Sequence, residues 1–199
     1  LKPQRILGII GCGLALQLGL SMALTVLLPL FPRLQENYFT VMNALDSESI
    51  LMIVCVCILA PIGEELVFRG LSLRILKKAF PWWFAVVLQA VLFGIYHLNP
   101  VQGIYATLMG LLLGYTAHRY GSVVPGILLH MTMNSSSYLI TYLLPASLEE
   151  NIAAQIILMI VGFAAVAGLA ILYLKGVKTP DPAGAADTTA APVQNIESN

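Results

Sequence analysis

Long apolar runs alternate along this chain with short segments that hold most of its charged residues. A helix that crosses the hydrocarbon core of a bilayer needs about 20 mostly apolar residues, with a usual range of about 17 to 25. Six runs reach or approach this length, at residues 6–31, 49–68, 80–98, 101–117, 123–144 and 152–174. The pattern predicts an all-α fold, a polytopic membrane helix bundle with about six transmembrane helices.

The positions of the basic residues predict how this bundle is oriented. Cytoplasmic loops of membrane proteins are enriched in Lys and Arg. With six spans, one side of the membrane receives Lys2, Arg5, Arg74, Lys77, Lys78, Arg119, Lys175 and Lys178. The other side receives Arg33 together with the acidic residues Glu36, Asp46, Glu48, Glu149 and Glu150. Both termini are therefore predicted to be cytoplasmic.

The fourth run contains a stripe of small residues, Ala106, Gly110 and Gly114, spaced four apart. Small residues at this spacing let the backbone of another membrane helix approach closely. We interpret the stripe as a packing surface and not as a site of chemistry.

Composition supports a membrane protein and argues against other classes. The 199 residues are 58% hydrophobic and 10% charged, with a mean hydropathy of +0.85, which is unusual for a soluble domain. Ten basic residues balance ten acidic ones and form no basic run, so no nucleic-acid partner is expected. Cys12, Cys55 and Cys57 lie in apolar runs, where a thiol behaves as a small hydrophobe. We predict a multi-pass protein of the cell membrane.

The C-terminal end differs from the rest of the chain. From Thr179 onwards it is rich in Pro, Ala, Asp and Thr, and it has too little apolar surface to form a core. We predict a transmembrane domain over residues 1–178 and a flexible tail over residues 179–199, without an internal repeat or a second soluble domain.

Few polar side chains that could carry chemistry fall inside the apolar runs. Ionisable groups in a membrane are costly, so they usually face a water-filled cavity or a partner and indicate function. The candidates are Glu64, Glu65, Arg69, His97, His130 and Asn134. Because Glu65 and Arg69 are four apart on one helix face, an ion pair between them is favoured, which leaves Glu64 for other work.

The pair His130 and Asn134 has the same spacing, so both side chains lie on one helix face and can donate hydrogen bonds to an oxyanion. Each candidate group also has a structural interpretation, as a charge cluster, a hydrogen-bonded histidine or an interhelical contact. Taken together, one carboxylate, two histidines and an amide supply a base to activate water and donors to stabilise a tetrahedral intermediate.

These residues form three motifs in a fixed order: Glu64-Glu65-Leu66-Val67-Phe68-Arg69, then Phe93 to His97, then His130 to Asn134. They resemble the E-E-x-x-x-R, F-x-x-x-H and H-x-x-x-N motifs of the CAAX-protease and bacteriocin-processing membrane proteases, also called the Abi or type II CAAX endopeptidase family. The motif core covers residues 60–134 of the chain.

The resemblance implies a glutamate-dependent intramembrane endopeptidase that acts on a membrane-associated or lipidated peptide or protein. By position, Glu64 would be the base that activates water, assisted by His97. His130 and Asn134 would form the oxyanion hole.

Three further residues are expected to support the site. The resemblance implies that Glu65 and Arg69 hold the first motif in shape. Phe93 lies one helical turn before His97, so its ring can form a wall beside the imidazole.

No cofactor is expected, although a zinc-dependent form of the same protease is an alternative. Its ligands would be Glu64, His97 and His130. We rank zinc lower because these residues lie on three helices and lack the H-E-x-x-H spacing of many zinc peptidases.

Simple topology conflicts with a shared site. Straight spanning helices with a rise of about 1.5 Å per residue would separate Glu64 and His97 in depth by about 15 to 20 Å. Either the turn at residues 98–100 is buried inside the protein, or the second helix is shifted and continues as one long tilted rod towards Lys78. In the second case, residues 70–80 extend that helix instead of forming a separate helix at the interface.

Two other functional classes remain open. A transporter or channel could use the same groups to bind a proton or an ion, but no inverted repeat is visible. A non-enzymatic immunity or scaffold membrane protein is also compatible with the resemblance.

Overall fold

A computed structural model describes residues 1–45, 49–143, 145, 148, 150–177 and 179. This part of the chain contains no β-strand, which confirms the predicted all-α class. Its α-helical segments are α1 (Pro3–Leu27), α2 (Pro32–Leu45), α3 (Ile50–Ala79), α4 (Trp82–Tyr96), α5 (Pro100–Tyr120), α6 (Val124–Leu143) and α7 (Ile152–Leu174). Apart from Thr179, the predicted flexible tail lies outside the described residues, as do Asp46, Glu48, Glu149 and Lys178.

Three helices in the described part of the chain are both long enough and apolar enough to cross a membrane. They are Pro3–Leu30, which includes a 3-10 turn after α1, Ile50–Ala79 and Ile152–Leu174. Helix α4 is apolar but has only 15 residues. Helices α5 and α6 have 21 and 20 residues but are less apolar. Of the six predicted spans, three therefore meet both criteria.

The short helix α2 is not predicted by the hydrophobic pattern. Residues 32–45 mix polar and apolar side chains and are too few for a span, so they resemble a loop in the sequence. In the structure they form an amphipathic helix that packs against α5. A hydrogen bond between the Tyr38 and Tyr105 side chains joins the two helices.

Helix α3 is continuous over 30 residues and contains two π-helical turns, at Cys55–Leu59 and Leu66–Ser72. In the second turn, Ser72 Oγ donates to the carbonyl oxygen of Val67, five residues earlier, at 2.9 Å. The second helix continues to Ala79, as expected in the alternative in which it extends towards Lys78. Residues 70–79 extend it and do not form a separate helix.

The small-residue stripe of α5 packs against α4. Ala106, Gly110 and Gly114 are all buried. A Cβ atom on Gly110 would lie 3.0 Å from both Cα and Cβ of Ala90. The close helix approach predicted from the stripe is therefore present, and it positions α4 beside the residues of α3 that face it.

Helix α1 packs against α6 and α7 on the other side of the bundle. Arg5 Nη2, at the start of α1, donates to the carbonyl oxygen of Lys175 at 3.3 Å, and Arg119 Nη2 donates to that of Val177 at 2.6 Å. The start of α1 and the ends of α5 and α7 therefore lie at one end of the bundle. The three cysteines, Cys12, Cys55 and Cys57, are free.

The crossing of α4 and α5 yields a stability prediction at Gly94. A Cβ atom there would lie 2.5 Å from the carbonyl oxygen of Gly103 and would also overlap Thr107 Oγ1. Because backbone atoms cannot move aside cheaply, we expect Gly94→Ala to lower the free energy of unfolding by about 1 to 3 kcal/mol. Thermal melting in detergent measures this loss. The matched control is Gly168→Ala in α7, where no atom lies within 4 Å of the new Cβ. Equal melting of the two variants would contradict the close approach.

Candidate active site

The helical turn Ala60–Glu65 carries both glutamates of the first motif and lies between the two π turns of α3. It packs against α6, which carries His130 and Asn134. An additional residue in a π turn changes the direction of the side chains that follow it, and such turns are frequent at functional sites. The carboxylates are therefore aimed by an irregular part of the helix.

A buried ion pair between Glu65 and Arg69 lies beneath the other polar residues of the site. Arg69 Nη1 lies 2.7 Å from Glu65 Oε1, and neither side chain is accessible to solvent. The ion pair predicted from their spacing is therefore present. The same Oε1 atom lies 3.2 Å from His130 Nδ1, so Glu65 connects α3 to α6.

The contact with Glu65 determines which nitrogen of His130 carries a proton. An ionised carboxylate can only accept, so Nδ1 of His130 donates to it. The other ring nitrogen, Nε2, lies 3.7 Å from Glu64 Oε2, beyond ordinary hydrogen-bond distance. Glu64 keeps 18% of its side chain exposed, whereas that of Glu65 is fully buried. The two adjacent carboxylates thus have different environments.

His97 caps the C-terminal end of α4 and lies across the Phe93 ring from His130. Its Nδ1 donates to the carbonyl oxygen of Phe93 at 2.8 Å, so its Nε2 is left as the free ring nitrogen. The Phe93 ring meets the His97 ring edge-on at 4.7 Å and the His130 ring at 5.9 Å between centroids. The Phe93 ring thus links the two imidazoles, and Glu64 Oε2 lies 3.7 Å from His130 Nε2. The structure therefore brings Glu64, His97 and His130 into one region.

The turn after His97 allows this placement. Leu98 adopts a left-handed backbone conformation, with φ of 55°, and is exposed. Asn99 is buried, and its side chain caps α5 by accepting from the backbone N–H of Gln102 at 3.0 Å. A connection of three residues between α4 and α5 thus holds His97 against the bundle.

Asn134 is placed differently from the other predicted site residues. Its Nδ2 donates to the carbonyl oxygen of Val56, in the first π turn of α3, at 3.0 Å. That hydrogen bond joins α6 to α3 one helical turn beyond His130. A carboxamide has two N–H bonds, so one remains available to a ligand.

Residues 46–136 match the family model described as type II CAAX prenyl endopeptidase, Rce1-like. This segment, a little under half of the chain, is similar to the Rce1-like family. The matched segment contains all three motifs, from Glu64 to Asn134, which confirms the family identified from them. No curated protein and no solved structure gave a significant match to the chain.

Similarity to the Rce1-like family indicates a protease, with a protein or peptide as its substrate. The apolar helices and the family together indicate a membrane protein.

Gln89 is a buried residue beside the candidate site that the sequence analysis did not identify. Its Nε2 donates to the carbonyl oxygens of Gly110 and Val86, both at 2.9 Å. Arg69 Nη2 reaches the same Gly110 oxygen at 3.4 Å. Gln89 therefore helps to hold the α5 backbone that Arg69 contacts. An uncharged amide within the apolar run at residues 80–98 is the signal in the sequence that indicates it.

The side chains as placed do not form the zinc site of the alternative prediction. Within the described part of the chain, no three His, Cys, Asp or Glu residues are arranged to hold a metal ion. Glu64, His97 and His130 are near one another, and each histidine directs Nδ1 at a protein oxygen, which is also usual for histidines that bind a metal through Nε2. The zinc-dependent form therefore stays an alternative prediction.

Because the Phe93 ring is fully buried between groups of the candidate site, we expect its replacement to lower the rate of peptide cleavage. The ring contacts both imidazoles, and Arg69 Cζ lies 4.3 Å from its centroid in a cation–π contact. We expect Phe93→Leu to lower the cleavage rate about tenfold, because the rings and the guanidinium lose their shared wall. The control is Phe84→Leu, at an exposed position of the same helix. Equal rates for both variants in a peptide cleavage assay would contradict this role.

Proposed function

We propose that the protein is a multi-pass intramembrane endopeptidase that hydrolyses a peptide bond in a membrane-associated or lipidated peptide or protein. The main support is the contrast between the adjacent glutamates. Glu65 is neutralised by Arg69, whereas Glu64 stays partly exposed beside His130. A carboxylate that is reached by solvent but not engaged by an arginine suits a general base for water.

In the proposed reaction, Glu64 accepts a proton from a water molecule as the water oxygen attacks the scissile carbonyl carbon. The free Nε2 of His97 accepts the water's second hydrogen bond and so orients the nucleophile. When the tetrahedral intermediate collapses, the C–N bond breaks and Glu64 returns the proton to the leaving amine. The carboxylate is then regenerated for the next cycle.

The negative charge on the former carbonyl oxygen requires hydrogen-bond donors. Protonated His130 donates from Nε2, and the carboxylate of Glu65 at Nδ1 stabilises the imidazolium. The second N–H of Asn134 is the other donor, because the first is held by Val56. His130 and Asn134 therefore act as the oxyanion hole in this proposal, and no metal is required.

The proposed topology has six spans with both termini in the cytoplasm of a cell-membrane protein. It is supported by the basic residues Arg5, Arg119 and Lys175, which lie at one end of the bundle. Basic residues concentrate on the cytoplasmic side of membrane proteins. A substrate anchored in the cytoplasmic leaflet of the membrane would reach the site from the lipid.

The test is cleavage by the purified protein in liposomes. A peptide with a fluorophore and a quencher on either side of the scissile bond is supplied with or without a lipid on its C-terminal cysteine. We expect time-dependent cleavage by the wild type, preference for the lipidated peptide, loss of cleavage in His130→Ala, and no inhibition by a chelator. Inhibition that is reversed by added zinc would instead support the metal-dependent form. Cleavage that is unchanged in His130→Ala would refute the proposal.

A further inference from the structure

Gly126 lies one helical turn before His130 on α6 and faces the buried carboxylate of Glu65. A Cβ atom at Gly126 would lie 2.7 Å from Glu65 Oε2, closer than real Cβ contacts. The next atoms are farther away, with Leu113 Cδ2 at 3.7 Å. Any side chain at this position would therefore have to displace the carboxylate.

The Glu65 carboxylate is fixed in this space. Its Oε1 atom holds Arg69 Nη1 at 2.7 Å and His130 Nδ1 at 3.2 Å. Its Oε2 atom is buried and has no hydrogen-bond partner in the described part of the chain. The far end of a glutamate is normally flexible, but moving this one lengthens or breaks both contacts of Oε1. The steric effect at Gly126 is thereby transmitted to the His130 ring.

We propose that Gly126 is a positioning residue of the site. By lacking a side chain, it leaves the space in which Glu65 reaches from α3 to Nδ1 of His130. The ring orientation of His130, and the proton on its Nδ1, depend on that contact. Nε2 is then directed towards Glu64 and the substrate. The functional part of this inference rests on the role proposed for His130.

A double-mutant cycle tests the steric link between Gly126 and Glu65. Gly126→Ala is expected to lower the melting temperature in detergent by about 5 °C. In the Glu65→Asp background, whose carboxylate is one methylene shorter, the same substitution is expected to cost less than half as much. Gly168→Ala serves as the helix control, because nothing lies within 4 Å of its new Cβ. An equal loss in both backgrounds, or no loss in the wild-type background, would overturn the proposal.

If Gly126→Ala does not fold at all, the double variant Gly126→Ala with Glu65→Asp still tests the clash. Recovery of a folded protein by Glu65→Asp supports a clash with this carboxylate, and failure of both variants overturns it.

Nitrogen-15 spectra of the three histidines separate positioning from general stability. We expect His130 in the wild type to be protonated at Nδ1, and Gly126→Ala to shift its two ring resonances while those of His118 stay in place. Gly168→Ala should leave the His130 resonances unchanged. A folded Gly126→Ala protein with unshifted His130 resonances would refute a positioning role.

The proposal and the proposed function can fail separately. Neither melting nor nitrogen spectra require cleavage, so they decide the role of Gly126 even if no peptide is cut. Where cleavage is observed, we expect Gly126→Ala to lower kcat about tenfold with KM changed less than twofold, since the substrate still binds. An unchanged kcat would count against positioning.

Discussion

Glu64→Gln is expected to lower kcat for peptide hydrolysis about a thousandfold, because an amide cannot accept the proton of the attacking water. The substitution preserves the size of the side chain. Since Glu64 is partly exposed and forms no ion pair with an arginine, the variant should fold and melt like the wild type. Initial rates of peptide cleavage in liposomes, together with a melting curve for each preparation, measure the two effects.

The matched control for Glu64→Gln is Glu36→Gln on α2, which removes an exposed carboxylate outside the site. It should cleave at the wild-type rate. A Glu64→Gln enzyme that retained more than a tenth of the wild-type kcat would exclude Glu64 as the base. If Glu64→Gln did not fold, Glu64 would be needed for the stability of the fold, contrary to this expectation.

The second large effect is expected at Arg69. Arg69→Met leaves the fully buried carboxylate of Glu65 without its guanidinium partner. Breaking a buried pair in this way typically costs about 3 to 5 kcal/mol, because a charge remains uncompensated in the protein interior. We expect a melting temperature about 10 °C lower and little folded protein at physiological temperature.

The double substitution Glu65→Leu with Arg69→Met separates the charge from the packing. Replacing both partners by apolar residues removes the uncompensated charge, so most of the lost stability should return. Cleavage should not return, because His130 Nδ1 has lost its acceptor. A double variant as unstable as Arg69→Met alone would show that the guanidinium stabilises the fold by packing, for example against Phe93.

The sequence predicts the parts of the site that depend on spacing within one helix. The pairing of Glu65 with Arg69 follows from a separation of four residues, and it is present in the structure. The close approach at Gly110 follows in the same way from the small-residue stripe. Apolar runs also place most helices within a few residues of their observed ends. In these cases the physical cause is local, so one helix is enough to predict it.

Features that depend on two helices could not be predicted in this way. The importance of Gly126 and Gln89 comes from Glu65 on α3 and Gly110 on α5, which are distant in sequence. The hydrogen bond from Asn134 to the backbone of Val56 likewise has no signature in the spacing of either residue. Helix α2 was overlooked because an amphipathic segment of 14 residues differs little in composition from a polar loop.

The predicted conflict in depth between Glu64 and His97 rested on treating every run as a straight span. Helix α4 has only 15 residues, and α3 has 30. Because α3 and α4 differ in length, residues at opposite ends of the two runs need not be far apart in depth. A shared region for Glu64, which lies beside His130, and His97, which contacts Phe93, is therefore compatible with the observed helices.

The two π turns of α3 have a consequence for aligning and redesigning this helix. A π turn holds one more residue than the α-helical turn it replaces, so each works as a retained single-residue insertion. Most of the first π turn lies between Glu64 and Val56, whose carbonyl oxygen accepts a hydrogen bond from Asn134. If this turn became α-helical with all its residues retained, the carboxylate would rotate about 100° relative to its anchor on α6. Grafting the motif onto a regular helix would therefore reproduce its letters but not the direction of its side chains.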